Sequence, residues 1–276
     1  MKKLIRKGKV KEVYEIEDEK LEFFFTDNIS VFDKVIPNDI PRKGETLCKT
    51  STYWFNRIEQ ELDINTHFLE MKDDNSMVVN RVNVISDYKE LDENTTNYLI
   101  PLEFICRYFV AGSLHDRIKR GDIDYKKFGF EEEPEYGERL PEPLFEVTTK
   151  LEEYDRKLTK EEALEISGIT EEEYEEIKES VLNIDKMIEE TVEDNGLLHV
   201  DGKKEFAMDR DRNIMLVDTF GTADEDRFWE KDEYEKGNFV QRSKEFVRQY
   251  YRETSYHEEL MEARRNNEEE PPIPEL

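Results

Sequence analysis

The chain has 276 residues, with 41 Lys and Arg against 69 Asp and Glu, and therefore a formal net charge of −28 at pH 7. That acid excess excludes the basic stripe that a nucleic-acid backbone requires, and it confines any anionic ligand to a local cluster of lysine and arginine inside a cleft. With 36% hydrophobic and 11% aromatic residues the chain can bury a sizeable core, as one large domain or two intimately packed ones. Cys48 and Cys106 form no CxxC pair and the four histidines lack zinc-ligand spacing. "MKKLIRKGKV" holds no apolar signal segment, and no apolar run is long enough to span a bilayer. These features predict a cytoplasmic protein with neither a nucleic-acid nor a membrane partner.

In chain order, "KVKEVYEIE" and "KLEFFFTD" read as a hairpin turning around Asp18 and Lys20. Lys9 and Lys11 fall on one face of its first strand beside Gly8, where two ammonium groups can meet phosphate oxygens; guarding an exposed edge strand is the plainer reading of the same pattern. "TDNISVFDKVIPNDIPRKGE" reads as an acid-rich loop ending at Lys43 and Gly44, and "CKTSTYWFNRIEQEL" as a helix. "SMVVNRVNVI" is strand-like. "YLIPLEFICRYFVAGSLHDRI" begins as a strand and continues as a helix beyond a turn at Gly112 and Ser113. Such a turn offers N–H groups and a hydroxyl to an anion, with Arg107 as a bidentate partner, although a strand-to-helix turn needs no ligand to exist.

Residues 120–143 are punctuated by Gly and Pro and predict surface coverage. Thr159 with Glu162, and Thr170 with Glu173, form capping boxes that start two helices, the second running to about Asn195 and stopping at Gly196. A late hairpin follows, with strands over 197–207 and 214–219. A four-residue loop at 210–213 would set Glu205 opposite Asp218, an arrangement that is unfavourable unless a cation, Lys203 or a metal ion, lies between them. Asp224 and Arg227 in "TADEDRFW" would extend that site, and Mg²⁺ favours one or two carboxylates plus phosphate oxygens. A long terminal helix or helix pair and a loose acidic tail over 266–276 close the chain. Strands concentrate in the first half and helices flank a late hairpin, so the class is α+β.

Six segments in this order, "GKVKEVY", "TDNISVFDKVIPNDIPRKGETL", "PLEFICRYFVAGSL", "PLFEVTTK", "DGKKEF" and "VDTFGTADEDRFW", resemble the SAICAR synthetase family, most of all its archaeal branch. The resemblance implies an α+β fold in which a strand-rich N-terminal subdomain, residues 1–100, covers the nucleotide and packs on a larger subdomain, residues 101–265, with the ATP site between them. It implies a ligase of purine biosynthesis that condenses carboxyaminoimidazole ribonucleotide (CAIR) with L-aspartate, using ATP and Mg²⁺, through an acyl phosphate. Lys9, Lys11 and Lys203 would then meet ATP phosphates, and Lys203, Glu205 and Asp218 would form the catalytic group, with Glu205 and Asp218 on the metal. Arg107, Gly112, Ser113 and Arg227 would hold the ribotide, Asp224 would extend that site, and Ser30, Asp33 and Lys43 would lie near aspartate or the ribotide.

The chain departs from the family pattern at Asp27-Asn28, where many relatives have Asp-Arg, at Asp218-Thr219, where many have Asp-Glu, and in the loop "GTADEDR", which is one residue longer. Another ATP-dependent amide-forming enzyme on the same scaffold, or a metabolite-binding protein without catalysis, stands as the rival reading; a panel of amine donors and Mg²⁺-dependent ATP binding separate them. A homo-oligomer is left open by the sequence.

Overall fold

The alternating apolar residues of the first eighty positions build an antiparallel sheet in the computed structural model, which describes residues 2–276. Strands β1 (Lys3–Lys7), β2 (Lys11–Glu17) and β3 (Lys20–Phe25) form a meander. A hairpin of β4 (Asn28–Val31) and β5 (Lys34–Asp39) follows, then helix α1 (Lys43–Glu61), the short β6 (Asn65–Thr66), and β7 (Phe68–Asp73) with β8 (Ser76–Asn80). The sheet order is β1-β2-β3-β8-β7. Leu47, Ser51, Trp54, Phe55 and Ile58 recur at three- and four-residue spacing along α1 and are all buried, so this face of the helix packs into the core.

The second sheet has eight strands. Its main order runs β12 (Lys157–Leu158), β11 (Arg139–Thr149), β10 (Leu102–Phe109), β13 (Leu197–Met208), β14 (Ile214–Val217), β6, while β9 (Tyr98–Leu99) and β15 (Asp226–Glu230) also pair with β13. Helices α2 (Gly112–Arg120), α3 (Lys160–Ser167), α4 (Glu171–Glu193), α5 (Lys231–Tyr234), α6 (Glu245–Glu253) and α7 (Tyr256–Asn266) complete the order. Both expected capping boxes are present, and Gly196, at φ 76°, ends the turn after α4. One hydrophobic cluster runs from Leu21 and Phe23 of the first sheet through Phe104 and Trp229 of the second, so the two sheets share a core.

Strand β13 is the spine of the molecule. Residues two apart share a face, so Asp201, Lys203 and Glu205 form one row and Gly202, Lys204 and Phe206 the other. Behind the strand, Lys204 is fully buried and bridges Asp185 of α4 and Asp226 of β15. His199 Nε2 lies 2.8 Å from the same Asp226, and Tyr108 donates to Asp185 at 3.0 Å. Asp185, His199 and Asp226 have metal-ligand chemistry, but the Lys204 ammonium occupies the space between the two carboxylates, so the group is an internal ion network. Gly202 makes room for it: a Cβ there would sit 2.0 Å from Asp226 Oδ2.

Four expectations change. The acid-rich loop before α1 is the β4–β5 hairpin, turning at Phe32 and Asp33, which both have positive φ as a two-residue type I′ turn demands. Lys9 lies in the β1–β2 turn rather than on a strand beside Lys11; the Gly8 N–H donates to Lys11 O across that turn at 2.8 Å. The late hairpin is shifted by one residue, with Glu205 opposite Val217. Asp209 causes the shift, because its carboxylate accepts the N–H groups of Asp211 and Asn213 and draws Asp209 into a longer loop. The tail is not loose: Ile273 packs against the cluster of Ile29, Val31, Ile36 and Tyr251, the Tyr251 hydroxyl donates to Pro274 O at 2.6 Å, and the Leu276 N–H donates to Asn38 at 2.8 Å.

Candidate active site

Between the two sheets lies a cleft of about 580 Å³. One part is apolar, lined by Val13, Leu21 and Phe23 from the first sheet, Leu99 and Val217 from the second, and Val82 and Val84 from the segment joining them. The remainder is ionic, with Lys9, Lys11, Lys150, Glu205, Asp218, Asp224 and Glu225 in its lining.

Glu205 is the buried centre of the ionic part. Lys203 Nζ contacts it at 2.5 Å, Lys150 Nζ binds its other oxygen, and Lys203 also lies 3.0 Å from Glu103 and 3.4 Å from Glu225. Asp218 binds Lys11. In a regular strand the observed register would turn Asp218 away from the face that carries Glu205. It follows the last residue of β14 instead and has φ 60°, and this left-handed residue returns its carboxylate to the cleft. The expected proximity of the two acids is therefore produced by a backbone turn and not by direct cross-strand pairing.

Electrostatics decides the state of these groups. Burial alone would push the Glu205 and Asp218 carboxyls up. Lys203 and Lys150 outweigh that effect at Glu205, and Lys11, Lys150 and Lys203 outweigh it at Asp218, so both are held below the usual carboxylate range. Glu103 goes the other way, because burial prevails over Lys203 and Lys150. Two low-pKa carboxylates facing three lysines have the donor chemistry for a divalent cation carrying phosphate oxygens, since a metal would pair with the acids and leave the ammonium groups for phosphates. Thr219, also in the lining, supplies no third charge.

A second cluster sits at the other end of the same β13 row, about 13 Å away along four residues of strand. Arg107 reaches Glu146 at 2.9 Å, Asp201 at 3.0 Å and Ser113 Oγ at 3.2 Å; Arg227 meets Asp201 at 2.9 Å. Gly112 has φ 51°, and a Cβ on it would come within 2.6 Å of the Arg227 guanidinium. With Ser113 in the first turn of α2, two guanidinium groups, a hydroxyl and free helix N–H groups converge, a set suited to a phosphate.

Of the sequence-predicted residues, Lys9, Lys11, Glu205, Asp218 and Asp224 line the cleft, and Lys203 joins them through Glu205. Arg107, Gly112, Ser113 and Arg227 assemble as the second cluster. Lys43 is tied to Asp224 at 2.7 Å, and Asp33 to Lys9 at 2.7 Å, the latter contact joining the tips of two hairpins. Ser30 lies in β4 opposite Val35 and is not among the cleft-lining residues. Asn28 donates to Lys9 O at 3.4 Å, while Asp27 accepts the N–H groups of Arg42 and Gly44 at the start of α1. Sequence reasoning missed Lys150, Asp201, Glu225 and His67. The first two carried a signal: Lys150 ends the quoted "VTTK", and Asp201 is two residues before Lys203, hence on its face.

Fold and site define a class of α+β proteins in which lysines and acids converge in the cleft where two sheets meet. A family model described as SAICAR synthetase matches residues 4–263. The chain is 53% identical to the phosphoribosylaminoimidazole-succinocarboxamide synthase of Thermoplasma acidophilum over 99% of its own length and 92% of that protein's, and 30% identical to that of Saccharomyces cerevisiae over 85% and 78%. Its fold matches a SAICAR synthetase (Type-2) in complex with ADP at a TM-score of 0.71 and 26% identity, covering 97% of this chain and 99% of that one. The Saccharomyces cerevisiae SAICAR synthase complexed with SAICAR matches at 0.71 and 26%, covering 92% and 85%. The chain belongs to the SAICAR synthetase family, the ATP-dependent ligases of purine biosynthesis that the resemblance of its motifs implied.

Proposed function

We propose that this chain condenses CAIR with L-aspartate, consuming ATP and releasing SAICAR, ADP and phosphate, with the cleft residues in the following roles. The observation that carries the assignment is the row Asp201, Lys203, Glu205 on one face of β13, which joins the arginine cluster to the lysine and carboxylate cleft. The apolar part takes the adenine, and Lys9, Lys11 and Lys150 neutralise the phosphates. Glu205 and Asp218 would hold Mg²⁺, which would supply charge neutralisation for a phosphoryl group in transfer. Arg107, Arg227, Gly112 and Ser113 hold the ribotide phosphate. This division makes residues 1–100 mainly the nucleotide cover and 101–265 the substrate and metal part, although β6 and β9 from the first hundred residues pair into the second sheet.

In the reaction, an oxygen of the ribotide carboxylate attacks the γ-phosphorus and ADP leaves. The aspartate nitrogen then attacks the acyl carbon, phosphate leaves, and the nitrogen loses its proton. The side chains position reactants and neutralise charge; neither step requires a nucleophilic side chain. Lys203, held by Glu103, Glu205 and Glu225, lies between the two ligand positions and adds a fixed positive charge there. An assay with ATP, Mg²⁺, CAIR and a varied amine donor tests the reading. ADP release should depend on L-aspartate; ADP formed at the same rate without an amine, or with any amine equally, would refute it.

A further inference from the structure

Strand β1 is at the edge of the first sheet and carries a one-residue bulge at Ile5. Leu4 lies opposite Tyr14, Arg6 opposite Val13 and Lys7 opposite Glu12. Without the bulge Arg6 would stand opposite Glu12, on the face of the sheet away from the cleft. The extra residue turns Arg6 into the row Arg6, Val13, Phe23 on the cleft face and leaves Glu12 to Lys7, 3.5 Å away. Ile5 and Arg6 both line the cleft. The other lysines and arginine of the lining have acid partners: Lys9 has Asp33, Lys11 has Asp218, Arg81 has Glu15 and Lys150 has Glu205. Arg6 is exposed at the rim and has no side-chain hydrogen bond or ion pair among the described residues, in a chain whose acids outnumber its lysines and arginines 69 to 41.

The position of Arg6 selects what it can meet. Lys11, opposite Phe25, stands next to the β1–β2 turn, and the row of Arg6 and Val13 lies two residues, about 7 Å, farther from that turn. The neighbours of Arg6 are therefore the apolar lining and not the lysines of the ionic part. Aliphatic walls such as Val13, Val82, Val84 and Leu99 can grip the edges of a flat heterocycle but offer it no π-face. The ring of Phe23 is already covered by the Lys11 ammonium, 4.3 Å from its centroid. A guanidinium, in contrast, is planar, weakly hydrated and stacks on π-systems. We propose that Arg6 closes the apolar slot over the base of the nucleotide, its guanidinium stacked on the purine face, and so acts as a base-recognising residue that makes no phosphate contact. The assignment rests on the nucleotide reading of the cleft above and adds the group that covers the base.

Calorimetric titration in the presence of Mg²⁺ tests the proposal, with ADP as one probe and inorganic tripolyphosphate, which has no base, as the other. Arg6→Gln should weaken ADP about 3- to 30-fold, the range for one cation–π stack, and leave tripolyphosphate unchanged. Arg6→Trp, which restores a flat π-surface, should recover ADP binding, whereas Arg6→Lys, which keeps the charge and loses the plane, should not. Thermal melting of each variant reports folding, and if Arg6→Gln does not fold, the comparison of Arg6→Lys with Arg6→Trp decides alone. Equal weakening of ADP and tripolyphosphate by Arg6→Gln would identify a phosphate contact, and recovery by Arg6→Lys but not by Arg6→Trp would identify a charge effect; either result overturns the stack. If the unmodified protein binds no ADP, the nucleotide reading itself fails and Arg6 falls with it; if it binds ADP and Arg6→Gln leaves that affinity unchanged, only the Arg6 assignment fails.

Discussion

Glu205 shows how one residue serves both fold and chemistry. It is buried and binds Lys203 and Lys150, so its charge balances two lysines before any ligand arrives. Glu205→Gln keeps the volume and removes that charge. It should lower kcat about a hundredfold or more, the scale of losing one preorganised electrostatic partner, and it should also destabilise the protein, because Lys150 is left with only Glu103, 4.0 Å away. Activity and thermal melting of the same variant measure both effects. His67 gives a pH dependence of known sign. It is buried against Phe23 and Phe55, and burial lowers its pKa from 6.5 to about 4. A histidine with a depressed folded-state pKa binds its proton more readily in the unfolded chain, so its contribution is complete above pH 6.5 and is lost as pH falls toward 4. About 3 kcal/mol of unfolding free energy should disappear across that window. Denaturant titrations of His67→Gln should give a flatter profile there; an identical profile would contradict the assignment.

The elements divide into those that local chemistry determines and those it does not. The caps of α3 and α4 were legible because a Thr and a Glu three residues apart satisfy each other's backbone wherever the helix sits. Thr170→Ala should therefore cost about 1 kcal/mol in a chemical melt and leave turnover unchanged, since α4 packs on the far face of β13 from the cleft. The β4–β5 hairpin was hidden because its turn residues, Phe32 and Asp33, are not the Asn-Gly type that signals positive φ. The β13–β14 register was misread for a related reason. Nothing in "MDRDRN" shows that the Asp209 carboxylate accepts two N–H groups and lengthens the loop, and nothing in "LVDTFG" shows that Asp218 turns left-handed. Two local errors nearly cancelled, so the acids were correctly brought together by an incorrect pairing.

At the scale of the whole molecule, the −28 net charge described the surface and was silent about the interior. The site gathers Lys9, Lys11, Lys43, Lys150, Lys203, Arg107 and Arg227 from segments distant in the chain, and only motifs read in order could anticipate that gathering. Contacts between such segments, Lys150 on Glu205 or Asp201 between two arginines, follow from the topology that sets β10, β11 and β13 side by side. The tail is another such case, since its Pro and Glu composition suggested looseness while Ile273 and Pro274 dock on the β4–β5 and α6–α7 cluster. The central claim is that one row on β13 aligns a metal–nucleotide site with a ribotide site. A crystal structure with ADP, Mg²⁺ and CAIR bound measures this most directly. It should show the metal on Glu205 and Asp218, nucleotide phosphates at Lys11 and Lys150, and the ribotide phosphate at Arg107, Ser113 and Arg227. A metal held by other residues, or a ribotide phosphate away from both arginines, would contradict the account.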